Sequence, residues 1–320
     1  MWHDAAVTDH RERRMLLDTA GLYFRAFHGV PDTVHAPNGM PVNAVRGLLD
    51  MIAGLVTEFQ PSEIVACWDD DWRPQWRVDL IPTYKSHRVA AIQPVDDGHP
   101  IEEVPDLLTP QIAVIREVLG ALGIPVIGAP RHEADDVIGT LASNSPHPVD
   151  VVTGDRDLFQ LIDDSREVRV IYTGRGMARL EALTDAALKA RYGVNPAEYA
   201  DFAALRGDAS DGLPGVPGVG EKTAASLLSS FGSLDGIVAA AADPASLMAA
   251  SVRARMLAAA DYLTVAPAVV KVVRDLELPG FDARIRFGTP EGTAELDRLA
   301  TEWGLGSSLE RARVALAARA

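Results

Sequence analysis

RHEADDVIGTLASNSPHPVDVVTGDRD, residues 131–157, concentrates five carboxylates around one predicted strand and leaves them few basic neighbours. Residues 150–154 are apolar enough for a buried strand, which delivers Asp155 and Asp157 to its carboxyl end. Open α/β sheets place their ligand sites at that end. Carboxylates that cannot neutralise one another call for cations, and this spacing is typical of a divalent-metal hydrolase. The other acids that flank this strand are Glu133, Asp135 and Asp136, and a sixth acid, Asp150, begins the strand itself.

Apolar periodicity between residues 14 and 172 alternates between strands and helices. This alternation predicts an α/β fold in which a largely parallel central sheet is flanked by helices. The predicted strands are 15–17, 63–68, 124–127, 150–154 and 168–172, and the predicted helices are 42–59, 107–122, 133–142 and 158–162.

Acidic residues recur where the predicted strands end. Asp18 follows the first strand and Asp69 the second, Glu133 opens the helix after the third, and Asp155 follows the fourth. The carboxyl ends of parallel strands share one edge of a sheet, so these side chains are expected to converge. A solvated acidic surface is the alternative for any one of them, but four strand ends together favour a site.

The chain changes character after residue 184, where Thr184 is a predicted N-cap and alanine-rich helices follow. We predict an α/β domain at 14–183 and a helical region at 184–320, with a short strand at 285–287. Residues 72–106 are too long for an ordinary connection and contain five prolines, as is typical of disordered or functional loops.

Residues 206–223, RGDASDGLPGVPGVGEKT, add two acids and a glycine-proline turn between two predicted helices. A turn of this kind exposes backbone N–H groups at a helix start and can bind a DNA phosphate. A plain connection between helices is the alternative, which the adjacent acids weaken. The acids are Asp208 and Asp211, and the candidate phosphate contacts are Gly215, Gly218, Gly220, Lys222 and Thr223.

Residues 72–88, WRPQWRVDLIPTYKSHR, interleave cations with aromatic side chains. This mixture suits contact with phosphates and unstacked bases. The alternative is that the tryptophans belong to the core and the cations to a solvated surface. The position of the segment, directly after Asp69, favours function, and its candidate residues are Arg73, Arg77, Tyr84, Lys85 and Arg88.

The composition sets limits on the function. The formal charge of −15 argues against a polyanionic partner, but two divalent cations would offset part of the acidic cluster. Residues 1–14 are polar and form neither a signal peptide nor a membrane anchor, so a cytoplasmic location is expected. Cys67 is the single cysteine, which excludes an intrachain disulfide and favours a buried thiol.

These motifs together resemble the 5′ nuclease family, which includes the 5′ nuclease domain of bacterial DNA polymerase I, phage 5′ exonucleases and flap endonucleases. The resemblance covers residues 14–270 and rests on LLDTAGLYFRAF, Asp69, YKSHR, HEADDVIGTLA, TGDRDLFQL and GDASDGLPGVPGVGEKTA in that order. It implies a PIN-like nuclease domain, an arch over the active site, and a helix-two-turn-helix element that grips duplex DNA and often holds K⁺.

The resemblance also implies roles for individual residues. Lys85 and Arg88 match cations that contact the scissile phosphate, Arg25 matches another basic position, and Phe24 stands where many relatives have tyrosine. The implied ligands of two or more Mg²⁺ or Mn²⁺ ions are Asp18, Asp69, Glu133, Asp135, Asp136, Asp155, Asp157, Asp208 and Asp211.

The function that follows is structure-selective 5′-3′ exonuclease and flap endonuclease activity by two-metal chemistry, leaving 5′-phosphate and 3′-hydroxyl ends during DNA replication and repair. We expect a monomer that acts on DNA with 5′ flaps, nicks or gaps and works alongside a DNA polymerase. Two alternatives stay open: a PIN-like ribonuclease, and a non-catalytic DNA-binding relative.

Overall fold

A computed structural model of the chain describes residues 12–89, 102–286 and 288–320. Six strands form one sheet in the order β3-β2-β1-β4-β5-β6. The first five strands are parallel and β6 runs antiparallel to β5, which confirms the predicted largely parallel sheet. The strands are β1 (Arg14–Asp18), β2 (Glu63–Cys67), β3 (Val126–Ile127), β4 (Val149–Thr153), β5 (Val168–Tyr172) and β6 (Glu181–Leu183).

Thirteen α-helices lie in the described part of the chain, and five of them accompany the sheet in sequence. These are α1 (Thr19–Gly29), α2 (Asn43–Phe59), α3 (Gln75–Leu80), α4 (Thr109–Ala121) and α5 (Ala134–Ser143). The later helices are α6 (Asp185–Tyr192), α7 (Tyr199–Arg206), α8 (Glu221–Phe231), α9 (Leu234–Ala242), α10 (Ala250–Ala258), α11 (Ala260–Val270), α12 (Pro290–Trp303) and α13 (Gly306–Ala317).

The sheet separates two apolar cores. One core joins α1, α2 and α4 to α12 and α13, and the other joins α5 to α7, α8 and α11. Strand β1 lies in the middle, and its residues Met15, Leu16 and Leu17 are fully buried because helices cover both faces. The Cys67 thiol is buried as expected, and Thr184 caps α6 by accepting from the Ala187 N–H.

The C-terminal part of the chain differs from the predicted division. Helix α13 packs against α2, and α12 packs against α4, so the last two helices lie on the sheet domain and not with the other late helices. The predicted strand at 285–287 reduces to an isolated bridge between Arg284 and Glu63, in which the Ile285 N–H donates to the Ser62 carbonyl and the Ile64 N–H donates to the Ala283 carbonyl, both at 2.9 Å. Phe287 lies outside the described residues.

The predicted arch segment is described only at its two ends. Residues 75–80 form α3, which packs against α11, and residues 90–101 lie outside the described part. Among the described residues, no single helix is both long and apolar enough to cross a membrane. The pair α8 and α9 satisfies the same test by length and composition only, with a bend of 81° between them.

Candidate active site

The carboxyl edge of the sheet brings acidic side chains together. Asp18 ends β1, which lies between β2 and β4, so Asp69 and Asp155 follow on either side of it. Asp18 caps α1 by accepting from the Gly21 N–H at 3.1 Å, and it accepts from the Thr153 hydroxyl at 2.8 Å. The Ala134 N–H at the start of α5 donates to Asp69 at 2.7 Å. Helix starts and strand ends therefore point these carboxylates at one region.

Six carboxylates at this edge have raised pKa values, in each case chiefly because burial disfavours the charged form. The pKa of Asp69 is raised to about 7, with the charges of Glu133 and Asp18 adding to the effect of burial. Asp155 is the shared neighbour, since its charge contributes to the raised pKa of Asp135, Asp157 and Asp211. The six are Asp18, Asp69, Asp135, Asp155, Asp157 and Asp211.

The six acids fit a hard divalent cation by their chemistry. All offer oxygen donors, which suit Mg²⁺ and Mn²⁺, and Asp157 Oδ1 is buried without a hydrogen-bond partner in the described part of the chain. Cations would satisfy that atom and remove the repulsion. Among the residues that the structure describes, no three acidic, histidine or cysteine side chains are arranged closely enough to hold one ion as they stand.

Several cationic contacts hold Glu133 and Asp136, whereas among these six carboxylates Asp211 has one such contact, Arg88 at 3.0 Å. Arg77 Nη1 lies 2.5 Å from Glu133 Oε2, and both Arg77 Nη atoms donate to Asp136. The Tyr84 hydroxyl donates to Glu133 Oε2 at 2.6 Å, and the Lys85 ammonium donates to Oε1. Asp136, predicted as a metal ligand, is fully buried and points to Arg77.

Asp208 is also held by cations. Its Oδ2 accepts from Arg206 at 3.0 Å and from Arg156 at 3.3 Å, and its Oδ1 accepts from the Ser210 N–H. Burial opposes ionisation, but the Ser210 hydrogen bonds and the two arginines lower the pKa of Asp208. The sequence analysis missed Arg156 and Arg206, although the DRD and RGD patterns place each within two residues of a predicted ligand.

An open cavity of about 550 Å³ lies over the carboxylate cluster. The cavity is lined by Phe24, Arg25, Lys85 and Arg88 and by the acids Asp18, Asp69, Glu133, Asp135 and Asp155. Arg25 Nε is buried and has no hydrogen-bond partner among the described residues. Trp72 and His87 also line the cavity and were not predicted as site residues, although both lie in the segment that the analysis singled out.

The segment around Lys85 is fastened to the loop that carries Asp211. The Lys85 N–H donates to the Asp211 carbonyl at 2.9 Å, and Arg88 donates to the carbonyl of Ser210 and to Asp211 Oδ1. The Thr83 hydroxyl donates to the Gly212 carbonyl at 2.7 Å. The sheet domain and the helical region therefore contribute to one site.

Three residues predicted to contact DNA are internal or occupied instead. Arg77 is 2% exposed because its charge is buried among carboxylates, and Tyr84 is 4% exposed because its hydroxyl donates to Glu133. Arg73 donates to the carbonyls of Tyr84 and Pro82, which ties the segment to itself. In this segment Arg73, Arg77 and Tyr84 therefore have internal contacts, whereas Lys85 and Arg88 line the cavity.

The glycine turn lies between α7 and α8. Gly218 and Gly220 are exposed, and Lys222 in the first turn of α8 is exposed beside them. Gly215 is buried, has φ +63°, and a Cβ there would lie 2.5 Å from the Arg206 carbonyl oxygen. Gly215 therefore shapes the turn from inside and does not face a ligand, whereas the other predicted contacts, Gly218, Gly220, Lys222 and Thr223, are exposed or partly exposed.

Carboxylates that share one cavity with lysine and arginine side chains are typical of metal-dependent nucleases. Two family models match in succession: the 5′-3′ exonuclease N-terminal resolvase-like domain over residues 13–193, and the 5′-3′ exonuclease C-terminal SAM fold over residues 194–291. The chain therefore belongs to the 5′-3′ exonuclease family.

Individual relatives agree with this assignment. The chain is similar to a 5′-3′ exonuclease of Streptomyces coelicolor, with 56% identity over 95% of this chain and 100% of the relative. It is similar to DNA polymerase I of Mycobacterium bovis, with 43% identity over 70% of this chain but only 24% of the polymerase. The fold resembles a complex of phage T5 D15 flap endonuclease with DNA and metal ions, with a TM-score of 0.59 and 15% identity over 96% of this chain and 99% of that chain.

Proposed function

We propose that this protein is a metal-dependent 5′ nuclease that hydrolyses phosphodiester bonds in DNA with 5′ flaps, nicks or gaps, leaving 5′-phosphate and 3′-hydroxyl ends. The observation that carries the proposal is one cavity that Arg25, Lys85 and Arg88 share with four of the carboxylates of raised pKa, Asp18, Asp69, Asp135 and Asp155. A phosphodiester needs both kinds of group, since cations hold the phosphate and carboxylates hold the catalytic metal.

The six acids with raised pKa values are the proposed direct ligands, with Glu133 and Asp208 at the border of the cluster. Bound Mg²⁺ or Mn²⁺ supplies an activated water nucleophile and stabilises charge on phosphate oxygens. The remaining steps belong to the chain itself. Lys85 and Arg88 stabilise negative charge that develops on the phosphate. Burial alone would lower the pKa of the Lys85 ammonium, but the charge of Glu133 outweighs burial and raises this pKa, so Lys85 stays protonated.

Binding of the substrate uses the wall of the cavity and the turn. Phe24 offers a ring on which a base stacks, and Arg25 Nε has a free donor for phosphate. The residues Gly218, Gly220 and Lys222 are exposed, and their N–H groups and the lysine side chain bind the backbone of the duplex. The proposal includes a K⁺ ion bound at this turn. We further propose that the protein acts as a monomer in the cytoplasm and removes strands that a polymerase displaces.

Cleavage of a labelled 5′-flap DNA in Mg²⁺ tests the proposal. Asp155→Asn is expected to lower kcat by roughly 10² to 10³-fold, the range for a lost electrostatic contribution, while thermal melting in EDTA shows an intact fold. Asp70→Asn is the matched control, because Asp70 is exposed and follows a predicted ligand directly. Undiminished cleavage by Asp155→Asn contradicts the proposal.

Two further substrates separate the alternatives. A flap RNA of equal length distinguishes a DNA nuclease from a PIN-like ribonuclease, which would cleave the RNA faster. A bulky block on the 5′ end of the flap distinguishes two modes of entry, because a threaded 5′ end would be slowed and an open clamp would not. A wild-type protein that binds flap DNA in Mg²⁺ without cleaving it would support the non-catalytic alternative.

A further inference from the structure

A buried guanidinium group lies beneath the active site. Arg77 on α3 is 2% exposed, and each of its three nitrogens donates a hydrogen bond: Nε to the Val269 carbonyl at 3.2 Å, Nη1 to Glu133 and Asp136, and Nη2 to Asp136 at 2.7 Å. The Trp76 ring covers the group, with the guanidinium carbon 4.4 Å from the ring centre. Arg77 thus joins α3, α5 and the end of α11.

Asp136 receives four donors and is fully buried. Its Oδ1 accepts from Arg77 and from the Val273 N–H at 2.9 Å, and its Oδ2 accepts from Arg77 and from the Glu133 N–H at 3.4 Å. A carboxylate has about four acceptor positions, so these donors saturate it. Nothing of Asp136 remains to coordinate an ion.

Asp135 is the opposite case, one residue away. Successive residues of a helix point about 100° apart, so the two side chains face different surroundings. Asp135 faces Asp155 and Asp18, whose charges add to burial in raising its pKa. It is partly exposed in the cavity over the cluster, and its carboxylate makes no hydrogen bond within the described part of the chain.

The two cations around Glu133 also differ. Lys85 lines the cavity, where a phosphate can reach its ammonium, whereas Arg77 is buried behind Glu133. If Lys85 turned to a phosphate, Glu133 would still be held by Arg77 and by the Tyr84 hydroxyl. Lys85 is therefore the exchangeable partner, and Arg77 is the permanent one.

We propose that Asp136 is not a metal ligand and that Arg77 is a positioning residue, which uses Asp136 as its counter-ion to orient Glu133 at the edge of the carboxylate cluster. The inference rests on the proposed metal-dependent nuclease function. It assigns adjacent acids of one motif to different tasks: Asp135 binds the cation, and Asp136 fixes the arginine that positions Glu133.

Asp135→Asn and Asp136→Asn form the matched pair that tests this assignment. Mn²⁺ binding is measured by isothermal titration calorimetry, and stability by thermal melting in EDTA. Asp135→Asn is expected to weaken Mn²⁺ binding by about tenfold or more and to leave the melting temperature unchanged or higher, because it removes repulsion. Asp136→Asn is expected to keep Mn²⁺ affinity within about threefold and to melt roughly 5–10 °C lower, because a buried ion pair is broken.

The reverse pattern overturns the proposal: Mn²⁺ binding lost in Asp136→Asn to the same extent as in Asp135→Asn, with an unchanged melting temperature. If Asp136→Asn does not fold, the double variant Arg77→Met with Asp136→Leu replaces the pair by apolar volume, which folds in comparable cases. That variant is expected to bind Mn²⁺ within about threefold of wild type but to cleave flap DNA with a lower kcat at unchanged KM, because Glu133 loses its orientation.

A loss of Mn²⁺ binding in the double variant as large as in Asp135→Asn, or an unchanged kcat, contradicts the positioning role. The two proposals fail separately. Wild-type protein that binds Mn²⁺ but cleaves no DNA refutes the nuclease function, whereas the calorimetry and melting results for the two aspartates decide the assignment independently of cleavage.

Discussion

Asp69 provides a quantitative test of the electrostatics of the cluster. Its pKa is raised to about 7, above an unfolded value of about 3.9, chiefly by burial. An acid whose folded pKa is raised holds a proton in the folded state that the unfolded chain releases, so stability falls as pH rises from about 4 to about 7. Above about pH 7 the loss of stability from ionising Asp69 has reached its full size. Metal-free protein should therefore be less stable at pH 8 than at pH 5.

The size of the effect follows from the shift. Three pKa units correspond to roughly 4 kcal/mol at pH 8, and the same two pKa values leave roughly 1.5 kcal/mol at pH 5. Asp69→Asn removes the charge but keeps an acceptor for the Ala134 N–H. The variant should be more stable than wild type in EDTA, and the gain should be roughly 2.5 kcal/mol larger at pH 8 than at pH 5.

Urea denaturation in EDTA at the two pH values measures this difference directly. Asp70→Asn is the control, since Asp70 is exposed and adjacent, and it should show no comparable pH dependence. Excess Mg²⁺ should stabilise wild type more than Asp69→Asn, because the variant lacks one proposed ligand and binds Mg²⁺ more weakly. A ligand that binds only the folded state adds stability that increases with the logarithm of its affinity. Equal gains at pH 5 and pH 8, or a variant less stable than wild type at pH 8, would refute the reasoning.

Two other substitutions test the surroundings of the cluster. Gly215→Ala should lower the melting temperature and weaken duplex binding, because the new Cβ would lie 2.5 Å from backbone atoms at a residue with φ +63°. Gly220→Ala is the control and should melt near wild type, because there is open space around that residue. Equal melting temperatures for the two variants would contradict a structural role for Gly215. Tyr84→Phe removes the hydroxyl that donates to Glu133 and should cost roughly 1–3 kcal/mol in urea denaturation, and a value near zero would show that Glu133 does not depend on it.

Much of the fold was predictable because it depends on local periodicity. Buried strands and amphipathic helices alternate in a pattern that only a parallel sheet satisfies, and the strand ends then place Asp18, Asp69 and Asp155 together. β6 escaped prediction because three residues carry no period. The packing of α12 and α13 on the sheet domain was not predicted either. An amphipathic stripe shows that one face of a helix is buried, but it does not identify the partner of that face.

The residues of the candidate site could be predicted from the sequence, but the contacts among them could not. Nine acids could be located by motif, yet the pattern HEADD does not show that Asp135 faces the cluster and Asp136 faces Arg77. Arg77 illustrates the reason. A cation in a polar segment has the same sequence signature whether it meets DNA or a buried carboxylate, and only the distant partners on α5 and α11 decide between them.

The distribution of arginines explains how so acidic a centre is compatible with folding. Glu133 and Asp136 share Arg77, and Arg156 and Arg206 share Asp208. Both of the latter also lie within 4 Å of Glu221, at 3.8 and 3.5 Å, in the first turn of α8. The acids at the two margins of the cluster are thus neutralised within the protein, and of the acids between them Asp211 alone pairs with an arginine, Arg88, in the described part of the chain. A displacement of the glycine turn before α8 would move Glu221, and with it the arginines that hold Asp208. The proposed contact with duplex DNA at that turn would therefore be linked by two ion pairs to the margin of the carboxylate cluster, so that substrate binding there would affect the arrangement of the proposed metal ligands.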